Sequence, residues 1–122
     1  MARLKLFVII VFALSVISAC FDPGPKRFVV SASKSYETSL YRQHCAICHG
    51  PEGEGKTLDD GKIVPSLREG EFKFKSEDAI YRQIADGGNG MTPFRGSMTE
   101  RELRLMAGFV HNELRSGQNR ER

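Results

Sequence analysis

The sequence predicts a small all-α domain of three to five short helices, and three observations point there. Apolar residues recur at helical spacing in two windows, each opened by a good N-cap: Ser76 ahead of Ile80 and Ile84, and Thr99 ahead of Leu103, Met106, Ala107, Val110 and Leu114. Strand signal is slight: the apolar triplet Phe28-Val29-Val30 is too short to define one. The 122 residues suffice for one domain and are too few for two.

In chain order, residues 1–19 read as a removable export signal. Arg3 and Lys5 form a basic start, Leu6 to Ile17 is apolar apart from Ser15, and small Ser18 and Ala19 follow. A membrane-spanning helix needs roughly 20 apolar residues, more than this run supplies. An uncleaved anchor helix is the alternative. Ile17-Ser18-Ala19-Cys20 resembles the bacterial lipobox, an aliphatic residue and two small ones before a cysteine. That resemblance implies cleavage before Cys20, with a diacylglyceryl group on its thiol and an acylated amino terminus. Several acyl chains anchor stably where one does not. An ordinary signal with a cysteine near its cleavage site is the competing reading. The expected location is the periplasmic side of a bacterial membrane. Phe21 replaces the aspartate that retains some lipoproteins at the inner membrane, which favours the outer one.

Removing 19 of 122 residues leaves 103 and takes the basic count from 18 to 16 against 15 acids, a net charge near +1. A nucleic-acid partner would want a concentrated basic face, and none is visible; the remaining charges mostly read as a solvated surface. Residues 20–35 are rich in Pro, Gly, Ser and Lys and read as the lipid-bearing cysteine followed by a flexible tether. The folded domain is expected over 36–116 and a disordered tail over 117–122.

A first helix is expected from Tyr36 to Cys48, ended by Gly50. Residues 51–70 hold four of the twelve glycines and Pro65, and read as loop. The middle helix should start after Ser76, with Glu77 and Asp78 favourable at its positive end, and stop at Gly87-Gly88. In the last, Thr99-Glu100-Arg101-Glu102 fits a capping box, and Phe109 lies beside the apolar face. So few residues and such long glycine-rich loops leave a marginal core, which something else should fill.

Cys45-Ala46-Ile47-Cys48-His49 is the C-x-x-C-H pattern of covalent haem attachment. Two thiols three positions apart near a helix end can reach both vinyl groups on one side of a porphyrin. His49, next in line, would place its imidazole under the ring centre as an iron ligand. A thioredoxin-like C-x-x-C wants a βαβ setting, which is absent. Structural zinc wants four ligands, and no second cysteine pair exists for His44 or His111 to complete. A Cys45–Cys48 disulfide would leave His49 unexplained. Gly50-Pro51-Glu52-Gly53-Glu54-Gly55-Lys56-Thr57 matches the phosphate-binding P-loop pattern literally. No strand precedes it, however, and Glu52 and Glu54 would repel phosphate, so neither nucleotide nor nucleic acid is expected as a partner.

From Tyr36 to about Leu114 the chain resembles the class I cytochrome c family. The resemblance rests on Cys45-Ala46-Ile47-Cys48-His49-Gly50 with Gly53 and Gly55, on Gly87-Gly88-Asn89-Gly90-Met91-Thr92-Pro93-Phe94, and on the acid-capped last helix with Phe109. Many members have proline directly after the methionine; here Thr92 intervenes. The resemblance implies one covalently bound haem c surrounded by the helices, with His49 and Met91 as iron ligands. It also implies that the Pro65 carbonyl holds the second ring nitrogen of His49. Met98 and Met106 read instead as core fillers. Leu67, Ile80, Ile84 and Phe94 are candidates for the apolar haem wall.

With both axial positions taken, substrate cannot reach iron. The implied role is that of a membrane-tethered single-electron carrier and not an enzyme, meeting redox proteins transiently around Ala46, Ile47, Thr92 and Pro93. An electron-relay subunit of a larger oxidase, reductase or dehydrogenase is the alternative, or a haem sensor or peroxidase with a displaceable sixth ligand.

Overall fold

The computed structural model describes residues 27–116 together with Lys5. The rest of the expected signal, its cleavage site, Cys20, residues 21–26 and the tail 117–122 lie outside the described residues. Helix α1 (Tyr36–His44) starts where the Ser35 hydroxyl accepts the Thr38 N–H, 3.3 Å away. At Cys45 the backbone departs from helix (φ −113°), and a short α2 (Ala46–His49) resumes before Gly50 stops it at φ 83°. The single helix expected to Cys48 is thus two, hinged at the first cysteine.

The loop that follows contains a minimal hairpin that the sequence reading did not anticipate. Strands β1 (Lys56–Thr57) and β2 (Ile63–Val64) pair antiparallel, Lys56 opposite Val64 and Thr57 opposite Ile63. Its turn is closed by the Asp60 carboxylate accepting the Lys62 N–H (3.0 Å) and by Gly61 at φ 81°. The Asp60-Gly61 dipeptide is the signal that marks it.

Helix α3 (Glu77–Asp86) begins at Ser76, whose hydroxyl accepts the Ala79 N–H at 3.2 Å, and ends at Gly87. Helix α4 (Glu100–Gly108) carries the expected capping box: Thr99 accepts the Glu102 N–H, and the Glu102 carboxylate accepts the Thr99 N–H at 2.8 Å. It continues through a π-helical segment, Phe109–Leu114. The wider turn directs neighbouring residues inward together, so Phe109, Val110, Leu114 and Arg115 are all buried. α4 packs chiefly on α3 and also on α1. Leu40, Tyr41, Cys45, Ile80, Ile84, Leu103, Met106 and Val110 form one core, which Met98 joins. The architecture is the small all-α one expected.

The Glu102 carboxyl is held down to about 2, first by the Tyr36 hydroxyl and then by Thr99. A lowered folded-state value means that the cap contributes fully above the ordinary 4.5 and loses its contribution as pH falls toward 2. Thermal melts across that window should therefore show Glu102→Gln losing less stability on acidification than the parent. Parallel curves would contradict this.

One expectation needs correction. Residues 27–35, read as tether, are seated on the domain. Val30 is fully buried, and Phe28 packs edge-on against Phe109 at 5.5 Å. The Glu52 carboxylate accepts the N–H groups of Val30 and Ser31 at 2.7 and 2.8 Å. Arg42 donates to the carbonyls of Val30 and Ser33, and Arg68 donates to that of Phe28. Two arginines stand apart from the mostly solvated charges. Arg68 is buried between Glu52 and the Phe28 carbonyl, and buried Arg115 donates to the Phe74 carbonyl at 2.7 Å beneath the Phe72 ring. Each guanidinium satisfies backbone carbonyls that composition alone gives no reason to expect inside.

Candidate functional site

The hinge at Cys45 divides the two thiols by environment. Cys45 is buried and Cys48 exposed, and both are free. Burial, and next the neighbouring Cys48, push the Cys45 thiol up to about 12, so it remains protonated at neutral pH. His49, ending α2, is half-buried, and desolvation lowers its pKa, which favours the neutral imidazole that metal ligation requires. Its Nδ1 is buried without a hydrogen-bond partner. The Pro65 carbonyl acts on the ring in the opposite sense, as an acceptor would, while falling outside full hydrogen-bond geometry.

Pro65 reaches that position through Gly55. Its N–H donates to the His49 carbonyl at 2.8 Å, and a Cβ there would stand 2.5 Å from the Val64 carbonyl and 2.8 Å from the Pro65 carbonyl carbon. Only glycine, at φ 77°, lets the two stretches close on each other. The P-loop-like stretch is not a phosphate cradle. It follows a helix, and the Glu54 carboxylate itself accepts the Glu52 N–H at 2.9 Å while Glu52 is committed to the 30–31 backbone.

Met91 lies on a tight turn. Gly88 and Met91 exchange backbone hydrogen bonds at 2.9 and 3.0 Å, and Asn89 (φ 54°) and Gly90 (φ 81°) occupy the centre. Two positive φ angles with Asn-Gly define a type I′ turn. The half-buried methionine packs, with Leu67 and Phe94, against the core cluster to which Ile80 and Ile84 belong. The Phe94 N–H donates to the Ile84 carbonyl at 3.1 Å, folding the loop back along α3.

Gln83, which the sequence reading passed over, donates to the Gly88 carbonyl at 2.9 Å and to the Met91 sulfur at 3.7 Å. Its signal was its place one turn before Gly87, on the α3 face turned toward the glycine loop. Ala46 is half-buried, and Ile47, Thr92 and Pro93 are exposed. A groove of about 960 Å³ lined by Phe28, Glu77, Arg104 and Phe109, among others, shares no residue with this constellation. Among the described residues, no three His, Cys, Asp or Glu side chains are grouped to hold a bare metal ion.

These residues fit a covalently held haem. Free thiols stand three positions apart beside a neutral imidazole, a thioether packs into the same apolar cluster, and the ring carries a buried, unpaired Nδ1 of the kind that ligating histidines donate to a carbonyl.

Comparison with known proteins agrees. The family described as cytochrome c oxidase, cbb3-type, subunit III matches residues 37–110. Cytochrome c6 of Parathermosynechococcus lividus is 30% identical over 64% of this chain and 87% of its own length. That of Thermosynechococcus vestitus is 27% identical over 72% and 77%. Among solved structures, the KustC0563 c-type cytochrome superposes with a TM-score of 0.53 at 32% identity, covering 61% of this chain and 92% of its own.

Proposed function

Because the chain belongs to the cytochrome c oxidase, cbb3-type, subunit III family and carries a monohaem class I cytochrome c domain, we propose that it is a lipid-anchored single-electron carrier with His49 and Met91 as axial ligands. Its kinship implies one covalent haem c, and Cys45 and Cys48 are the cysteines of its C-x-x-C-H motif. The observation that carries the reading is the buried, partnerless Nδ1 of His49 beside the Pro65 carbonyl, directly after the two free thiols.

The haem, when bound, supplies a one-electron iron couple. Cys45, between α1 and α2, and Cys48, on α2, would hold it, and Pro65 would orient the His49 ring. Gln83 directs its amide at the Met91 sulfur, and Leu67, Ile80, Ile84 and Phe94 keep water from the site. An apolar surround of this kind helps set the potential. Ile47 and Pro93 offer exposed apolar contacts for brief encounters with redox partners. Lipid on Cys20 would hold the domain on the periplasmic side of the membrane, outer rather than inner, and raise the effective concentration of membrane-bound partners.

Fractionating cells competent for haem ligation and lipoprotein processing tests both halves. A cytochrome spectrum in the membrane fraction is expected, from protein whose mass shows residues 1–19 removed and acyl chains added at Cys20. Colourless protein with the mass of bare polypeptide plus lipid overturns the haem reading. Membrane-bound haem protein whose mass carries no acyl chains at an amino-terminal Cys20 overturns the lipid anchor.

The oxidase-subunit description of the matching family favours one second reading, a relay subunit held in a larger complex. Co-purification with a catalytic subunit after detergent extraction would select it over a free carrier.

A further inference from the structure

Resting on the His49/Met91 ligation proposed above, we infer that the segment from Lys62 to Pro65 is a bracket that sets Met91 relative to His49, with Lys62 as a positioning residue. The hairpin first fixes Lys62 without help from the methionine turn. The Leu58 N–H donates to its carbonyl at 2.8 Å, its own N–H donates to Asp60 at 3.0 Å, and β2 begins at the next residue. From that anchored backbone, the Lys62 ammonium donates to the Gly90 carbonyl at 2.7 Å, one residue before Met91.

Three positions on, a span of roughly 10 Å in extended chain, the Pro65 carbonyl carbon lies only 2.8 Å from where a Cβ would stand on Gly55, whose N–H donates to the His49 carbonyl at 2.8 Å. One short rigid stretch therefore supports both axial residues. Asp59 and Asp60 precede Lys62 in its own turn, yet its ammonium forms no salt bridge among the described residues and reaches across to a neutral carbonyl. The tip of the turn is shaped for it, since a side chain at Gly90 would occupy the position of Lys62 Nζ. Lys73 backs the same turn from a second loop, donating to Asn89 at 2.8 Å.

The bracket holds the sulfur in place against competitors for the iron. The test is titration of the ferric holoprotein with imidazole, which displaces a loosely held methionine. Lys62→Met keeps the side-chain length and removes the donor. Lys56→Met removes the same charge from the same hairpin, where the side chain makes no hydrogen bond among the described residues.

Loss of one modest hydrogen bond should raise imidazole affinity by about 3-fold in Lys62→Met, with Lys56→Met and Lys62→Arg close to the parent. Thermal unfolding measured beside it separates the roles. Tighter imidazole binding at an unchanged Tm marks positioning, whereas a fall in Tm with unchanged affinity overturns it. Equal affinities for Lys62→Met and Lys56→Met also overturn the bracket. A parent protein without a sulfur-to-iron charge-transfer band instead overturns the Met91 ligation beneath it.

Discussion

Replacing both thiols, Cys45→Ser with Cys48→Ser, is expected to yield protein that carries no haem through a denaturing gel and melts at least ~10 °C lower than the parent. The first effect is chemical, since thioether attachment requires sulfur at both positions. The second follows from packing. Leu67, Met91 and Phe94 are only half-buried against the helices, and a bound haem would cover their remaining apolar surface. Covering half of each contributes about 1 kcal/mol per side chain, or ~2–4 kcal/mol together. A domain this small holds roughly 5–15 kcal/mol and shifts by roughly 4–8 °C per kcal/mol.

The single variants divide the roles further. Cys48 is exposed, so Cys48→Ser should fold normally and retain one thioether through Cys45. Cys45 lies in the core, and Cys45→Ser adds an oxygen there with no partner assigned to it. A double variant that retains haem through the gel would remove the C-x-x-C-H assignment altogether.

Where the chain's own neighbours decide the structure, the sequence was readable. Ser76, Thr99 with Glu102, and Gly87 act within four residues of what they cap, and the helices start and stop there. The C-x-x-C-H stretch is local in the same sense. What escaped depends on residues far apart. Val30 is a core residue because Glu52 and Arg68, 22 and 38 positions on, bind the backbone around it, whereas Pro, Gly and Ser in the surrounding stretch argue for a tether. The hairpin has two residues per strand, too few for an alternating pattern to show.

The break at Cys45 carries no glycine or proline, Gly108 before the π-helical turn keeps helical φ (−60°) and so gives no stop, and the apolar spacing is preserved on both sides of each. Periodicity passes straight through them. Gln83 was hidden for another reason. A polar residue on an amphipathic helix reads as solvent-facing until the loop that folds over it is known.

Met91→Ala should convert a closed carrier into an open haem protein, with a potential lower by on the order of 0.2 V, within the ~0.8 V that axial ligation spans. A soft thioether stabilises ferrous iron, and its removal favours the ferric state. The sulfur-to-iron band should vanish, and cyanide and carbon monoxide should bind readily where the parent resists them. The fold has reason to survive. The turn is closed by Gly88–Met91 backbone bonds, by Asn89 and Gly90 at positive φ, and by Lys62 and Lys73 from outside, none of which uses the methionine side chain. Gln83 would keep its bond to the Gly88 carbonyl while losing its sulfur acceptor. If the band persisted in Met91→Ala, another side chain would be the sixth ligand. If the parent itself bound cyanide freely, the protein would belong with haem sensors or peroxidases, because a carrier with both axial positions filled leaves no coordination site for a small ligand to enter.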